Sequence, residues 1–91
     1  MRVATIEGSR VTSEAAFWRE YLAVVQPDGA AYFGRNLDAF RDAIVAGGPG
    51  WPGGPCQLRV ADHTAAGVGP EFFARLAEIA AEATGFELML A

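Results

Sequence analysis

Between Gly47 and Pro55 the chain carries five Gly, three Pro and one aromatic, Trp51. Proline fixes φ and has no backbone N–H to donate, and glycine gives up the most freedom on entering a regular element. Such a stretch is neither helix nor central strand. It divides a 91-residue chain into two halves, neither with enough apolar side chain for a core of its own. The halves must share one core, so the expectation is one small domain over residues 1–91, with 47–55 an exposed, loose connector inside it. The 52% apolar content overstates that core, because 18 residues are Ala, and the stability margin should be thin.

On either side, the periodicity changes between two and about 3.6. Arg2 to Ile6 reads as a strand, ended by Gly8-Ser9. Ser13 can cap a helix whose first turn holds Glu14, with Phe17, Tyr21 and Val24 on one face. Pro27-Asp28-Gly29 stops it, and an irregular turn is expected from Gly29 to Phe33. A second helix should run from Leu37 to about Ala46, with Leu37, Phe40 and Ile44 facing inward. Cys56 to Ala61 is a second strand, with Leu58 and Val60 alternating against Gln57 and Arg59. After a polar connector, Pro70 suits the first position of a third helix. That helix carries Phe72, Leu76, Ile79 and Ala83 on one stripe and Glu71, Arg75, Glu78 and Glu82 on the other, with Gly85 past its end. Phe86 to Leu90 is the last strand. Strands separated by helices pair in parallel. The fold class is therefore a two-layer α/β domain: a three-stranded parallel sheet packed against about three helices.

Composition narrows the function. A net charge of −4 argues against direct nucleic-acid binding, which needs a basic face, and is compatible with a basic partner. One cysteine, Cys56, permits neither an internal disulfide nor a metal site built on several thiolates. No apolar run approaches membrane-spanning length, and the first residues lack the apolar core of a signal peptide, so a cytoplasmic protein is expected. No nucleophile has a base at recognisable spacing, and the glycine cluster lacks the strand-to-helix setting of a phosphate loop. The lone His63 reads as a polar connector residue. A hydrolase or metal site would need Asp38, Asp42 and His63 to converge from separate elements. The expectation is no catalytic residue, no cofactor and no metal.

The segment with a chemical logic of its own is Tyr32-Phe33-Gly34-Arg35-Asn36-Leu37-Asp38-Ala39-Phe40-Arg41-Asp42. Gly34 should take a conformation other residues resist, and Asn36 is a good cap for a helix beginning at Leu37. Asp38 and Asp42 fall one turn apart on an adjacent face. Like charges at that spacing cost a helix roughly 0.2–0.5 kcal/mol, with Arg35 and Arg41 near enough to offset it. The plain alternatives are a solvated helix face for the two Asp and core packing for the aromatic pair, above all Phe33. Trp51 reads as a cover over one edge of the core.

This segment resembles the signature of the barstar family, intracellular inhibitors of barnase-type ribonucleases: an aromatic pair, Gly, a variable residue, Asn-Leu-Asp-Ala, an apolar residue, a variable one and Asp. Length, acidity and element order agree. The resemblance implies a two-layer α/β fold. It also implies that this helix and the loop before it plug the ribonuclease active site, with carboxylates standing where RNA phosphates bind. By matching position, Asp42 would be the central anionic plug, Asp38 the second carboxylate and Tyr32 the aromatic that packs on the enzyme. The family also uses a carboxylate late in the last long helix, a role open to Glu78 or Glu82. Two positions depart from the family's type member, which has a Trp at the position of Arg41 and an acidic residue at that of Arg35. Two Asp against two Arg leave the segment neutral, which predicts slow electrostatic steering. Partner-binding residues are thus expected at Tyr32, Arg35, Asp38, Arg41 and Asp42. The partner is a barnase-like ribonuclease or related basic toxin, bound by a chain that is a monomer when free. The alternative is an immunity or interaction module on the same fold for a non-barnase partner.

Overall fold

The computed structural model describes residues 1–91. Three strands, β1 (Arg2–Glu7), β2 (Cys56–Ala61) and β3 (Phe86–Leu90), form one sheet in the order β1-β2-β3, with both pairings parallel. Three helices connect and cover them: α1 (Glu14–Val25), α2 (Leu37–Ala46) and α3 (Pro70–Glu82). This is the expected α/β class, with single 3-10 turns added at Gly8–Arg10, Ala30–Tyr32 and His63–Ala65.

Register puts the two chemistries of the sheet on opposite faces. Ala4, Leu58 and Leu88 lie side by side, as do Ile6, Val60 and Leu90, and this face turns into the core. Residues of odd parity (Val3, Thr5, Arg59, Glu87 and Met89) are exposed on the other. All-parallel sheets are usually covered on both faces; here the alternation along each strand marks a sheet with one solvated face.

The helices start where local chemistry says. The Ala16 N–H donates to Ser13 Oγ at 3.1 Å and the Ala39 N–H to Asn36 Oδ1 at 2.7 Å, so both predicted caps are in use. Pro70 occupies the first turn of α3. Gly85 is left-handed at φ +82, but α3 is already closed at Ala83, and Gly85 instead turns the chain into β3.

The buried face of α1 differs from the expected stripe. It consists of Ala16, Phe17, Trp18, Tyr21 and Val25, with Val24 half-buried. Trp18 is the hub. Its ring packs edge-on against Phe17 at 4.9 Å, Phe33 at 5.6 Å and Phe72 at 5.8 Å, and lies tilted 5.6 Å from Phe40. A wide α1 face is needed because that helix meets α2, α3 and the turn before α2 together.

The glycine- and proline-rich segment is anchored, contrary to expectation. Tyr21 Oη donates to the Gly50 carbonyl at 2.8 Å from within the core. The Gly50 N–H donates to the Asp28 carbonyl at 2.8 Å and the Asp28 N–H to that of Trp51 at 3.0 Å. Arg2 clamps the far side, its guanidinium donating to the carbonyls of Val25 at 2.8 Å and Pro52 at 3.0 Å. Gly50, at φ +99, sits against the Phe33 ring, where a β-carbon would collide. The segment has no regular structure because its backbone groups are satisfied by neighbours rather than by a ladder.

Candidate functional site

The segment from Tyr32 to Asp42 is built on an internal platform. Phe33 is buried against Trp18 and Tyr21, while Tyr32 beside it is 82% exposed. The aromatic pair thus splits into one core residue and one displayed residue. From Phe33 the chain turns into α2 through Gly34, Arg35 and Asn36. Here the structure corrects the sequence reading. Arg35, not Gly34, takes the left-handed conformation, at φ +55, which costs a side-chain-bearing residue roughly 1–2 kcal/mol. Gly34 answers a different constraint: a β-carbon there would stand 3.0 Å from Ala39 Cβ, a tight contact. The turn folds down tightly onto the first turn of α2.

Within α2, Phe40, Ala43 and Ile44 are buried and Leu37 is half-buried. That rotation leaves Asp38, Arg41 and Asp42 exposed. These three, with Val45 and Ala46, line a recess of about 400 Å³. Tyr32 and Arg35 lie outside it, on the approach to the helix. A second recess, of about 410 Å³, lies between α3 and β3, bounded by Ala77, Ala80, Phe86, Leu88 and Met89. Its lining is mostly apolar with one charged residue, Glu87, whereas the recess on α2 gathers three, Asp38, Arg41 and Asp42.

Arg41 offsets Asp38 only through space, and its direct bonds go elsewhere. Its guanidinium grips Glu82 of α3 with two bonds, Nη2 to Oε1 at 2.7 Å and Nε to Oε2 at 3.2 Å. The bond to Glu82 raises the Arg41 pKa and holds the Glu82 carboxyl below the usual range. The two side chains are 57% and 46% exposed, so the pair aligns α2 with α3 more than it stabilises them. Its consequence is electrostatic. Arg41 is matched by Glu82, so Asp38 and Asp42 stand without a hydrogen-bond or ion-pair partner. The segment that counts as neutral in sequence presents net negative charge in space.

The remaining candidates are accounted for locally. His63 is half-buried, its Nδ1 3.1 Å from the Ala91 carbonyl and its ring edge-on to Phe73, away from Asp38 and Asp42. Those three do not converge. Cys56 is buried, and burial pushes its thiol pKa up, partly offset by Arg2. Trp51 is half-buried in the anchored segment, and Glu78 is exposed on α3. Sequence reasoning missed the link between Arg41 and Glu82, because charges on separate helices 41 residues apart leave no local signal.

The chain is thus a small α/β fold that spends its buried side chains on one aromatic core and displays an aromatic and two unpaired carboxylates from one helix and its entry turn. The family described as Barstar (barnase inhibitor) matches residues 1–87. The chain belongs to the barstar family. No curated protein matches it individually.

Proposed function

We propose that this chain is a non-catalytic inhibitor of a small ribonuclease, closing the enzyme's RNA site with α2 and the turn before it. The observation that carries this reading is the pair of unpartnered, exposed carboxylates, Asp38 and Asp42, left free by the engagement of Arg41 with Glu82. An RNA-cleaving site gathers cations to hold phosphates. A carboxylate entering such a site exchanges water for charge-assisted hydrogen bonds, which are among the stronger ones proteins make. Asp42 is the central plug, Asp38 the second carboxylate and Tyr32 the aromatic that packs beside them, while Arg35 and Arg41 set which enzyme is accepted. The chain acts as a monomeric single domain inside the cell, where an active ribonuclease would be harmful.

The test is inhibition of RNA cleavage across a panel of small basic ribonucleases, with wild type against Asp42→Ala. Inhibition by wild type and its loss in the variant are expected. Undiminished inhibition by Asp42→Ala would remove the plug assignment. A second reading rests on Arg35, a side chain held at a strained exposed position in the entry turn with no hydrogen-bonded partner. It keeps the fold and replaces the ribonuclease with another toxin that offers an acidic group to Arg35. Failure across the panel, with tight binding to a toxin encoded beside this chain, would favour it.

A further inference from the structure

Gly48 lies just beyond α2, and no regular element explains it. The turn there is made by Gly47, which is left-handed at φ +76 and whose N–H donates to the Ala43 carbonyl at 3.0 Å. Gly48 is not among the residues with positive φ, so its backbone would accept a side chain. Space is what excludes one. The Gly48 N–H donates to the Asp42 carbonyl oxygen at 3.1 Å, drawing its α-carbon beneath the Asp42 side chain. A β-carbon at 48 would stand 2.9 Å from Asp42 Cγ and overlap Oδ2, and would lie 3.4 Å from the Asp42 carbonyl oxygen. Carbon atoms rest about 3.5–4.0 Å apart, so a side chain at 48 and the carboxylate cannot share this volume. What yields is the end of an exposed side chain free to rotate, not the backbone.

We infer that Gly48 is a positioning residue for Asp42, its missing side chain forming the seat in which the carboxylate rests. The consequence for binding rests on the inhibitor reading above: Gly48 sets the aim of the central plug. The seat itself belongs to the free chain and is tested there.

The experiment compares Gly48→Ala with Gly54→Ala, a glycine whose added β-carbon meets nothing within 4 Å and whose φ is not positive. The first readout is the set of Asp42 Hα–Hβ NMR couplings in the free protein. Gly48→Ala should move Asp42 to another χ1 rotamer, Gly54→Ala should leave it in place, and both should melt close to wild type. Unchanged Asp42 couplings in folded Gly48→Ala overturn the assignment. So does unfolding of that variant, which would mean the backbone gives way rather than the carboxylate.

The second readout is affinity for a ribonuclease whose binding Asp42→Ala weakens. Gly48→Ala should weaken it about tenfold, and adding Gly48→Ala to Asp42→Ala should cost nothing more. A loss that persists in full in the Asp42→Ala background overturns the positioning role, because Gly48 would then act on something else. If Asp42→Ala leaves all binding intact, the plug reading falls and the rotamer measurement still decides the seat.

Discussion

Removing one oxygen atom from the core tests how the structureless half of this chain is held. Tyr21 is fully buried, and its hydroxyl donates to the buried Gly50 carbonyl at 2.8 Å. Tyr21→Phe keeps the ring in place against Phe33 and Phe40. It deletes the donor and leaves that carbonyl unsatisfied. A hydrogen bond contributes about 1 kcal/mol net, and an orphaned buried acceptor raises the cost, giving a loss of about 1.5–2 kcal/mol. In a chain this size 1 kcal/mol moves the melting temperature by roughly 4–8 °C, so Tyr21→Phe should melt about 10 °C below wild type at pH 7. Thermal and urea unfolding followed by circular dichroism measure both quantities, and the urea slope should not change. The pH dependence supplies an independent check. Burial, and to a lesser extent the charge of Cys56, raise the Tyr21 pKa well above its ordinary value, with Arg2 opposing. The folded state therefore keeps the phenol proton more tightly than the unfolded state does. The advantage of wild type over Tyr21→Phe is full below the ordinary tyrosine pKa of about 10 and shrinks as pH rises beyond it. A melting difference under about 2 °C at pH 7, or a gap that widens in alkali, would refute the argument that this hydroxyl anchors the 47–55 segment.

Two further substitutions probe the core and the cross-helix pair. Trp18→Ala removes the ring shared by the aromatic clusters of α1, α2 and α3, and should cost about 3–5 kcal/mol. Against a typical margin of about 5–15 kcal/mol, that removes a large share of the stability; urea unfolding at 25 °C gives the value, and a loss under about 1 kcal/mol would show that Trp18 is not the hub. Glu82→Gln removes the negative charge and one of the two acceptor oxygens that Arg41 grips. The folded Glu82 pKa is lowered, first by that hydrogen bond. The pair's contribution is therefore present above the unfolded glutamate pKa of about 4.3 and disappears as pH falls through the folded value. Wild type and Glu82→Gln should differ slightly in melting temperature at pH 7, converge at about pH 2, and converge in about 1 M salt.

What was legible in the sequence was local. The first strand announces itself by β propensity and the other two by alternation, and each helix by a cap or an initial proline, because Asn36, Ser13 and Pro70 act on backbone groups within one turn of themselves. Parallel order followed because each strand is separated from the next by a helix. The losses share a cause, which is distance along the chain. Trp18 was passed over because it sits one residue after Phe17, off a narrow stripe, and a helix that meets several partners needs a wider one. The 47–55 segment looked loose because the groups that hold it, Tyr21, Asp28 and Arg2, lie far back in the chain. Gly34 was given the role of Arg35 because glycine signals a special conformation more loudly than it signals a tight approach. In the candidate site, the pattern showed which residues fall on the exposed side of α2 and its entry turn, but not how their charges pair. The sign of the surface depends on Glu82, which arrives from another helix.

Tyr32, Arg35, Asp38 and Asp42 are exposed and hold no side-chain hydrogen bond in the free protein, while Phe33, Phe40 and Trp18 behind them hold the fold. Exchanging an exposed side chain that touches little changes stability by only about 0.5 kcal/mol. The displayed residues can therefore be replaced one at a time without pushing a marginal fold below its threshold. Under the proposed inhibitor role, such a division lets the outer face of α2 change to suit a new target while the architecture that presents it stays the same.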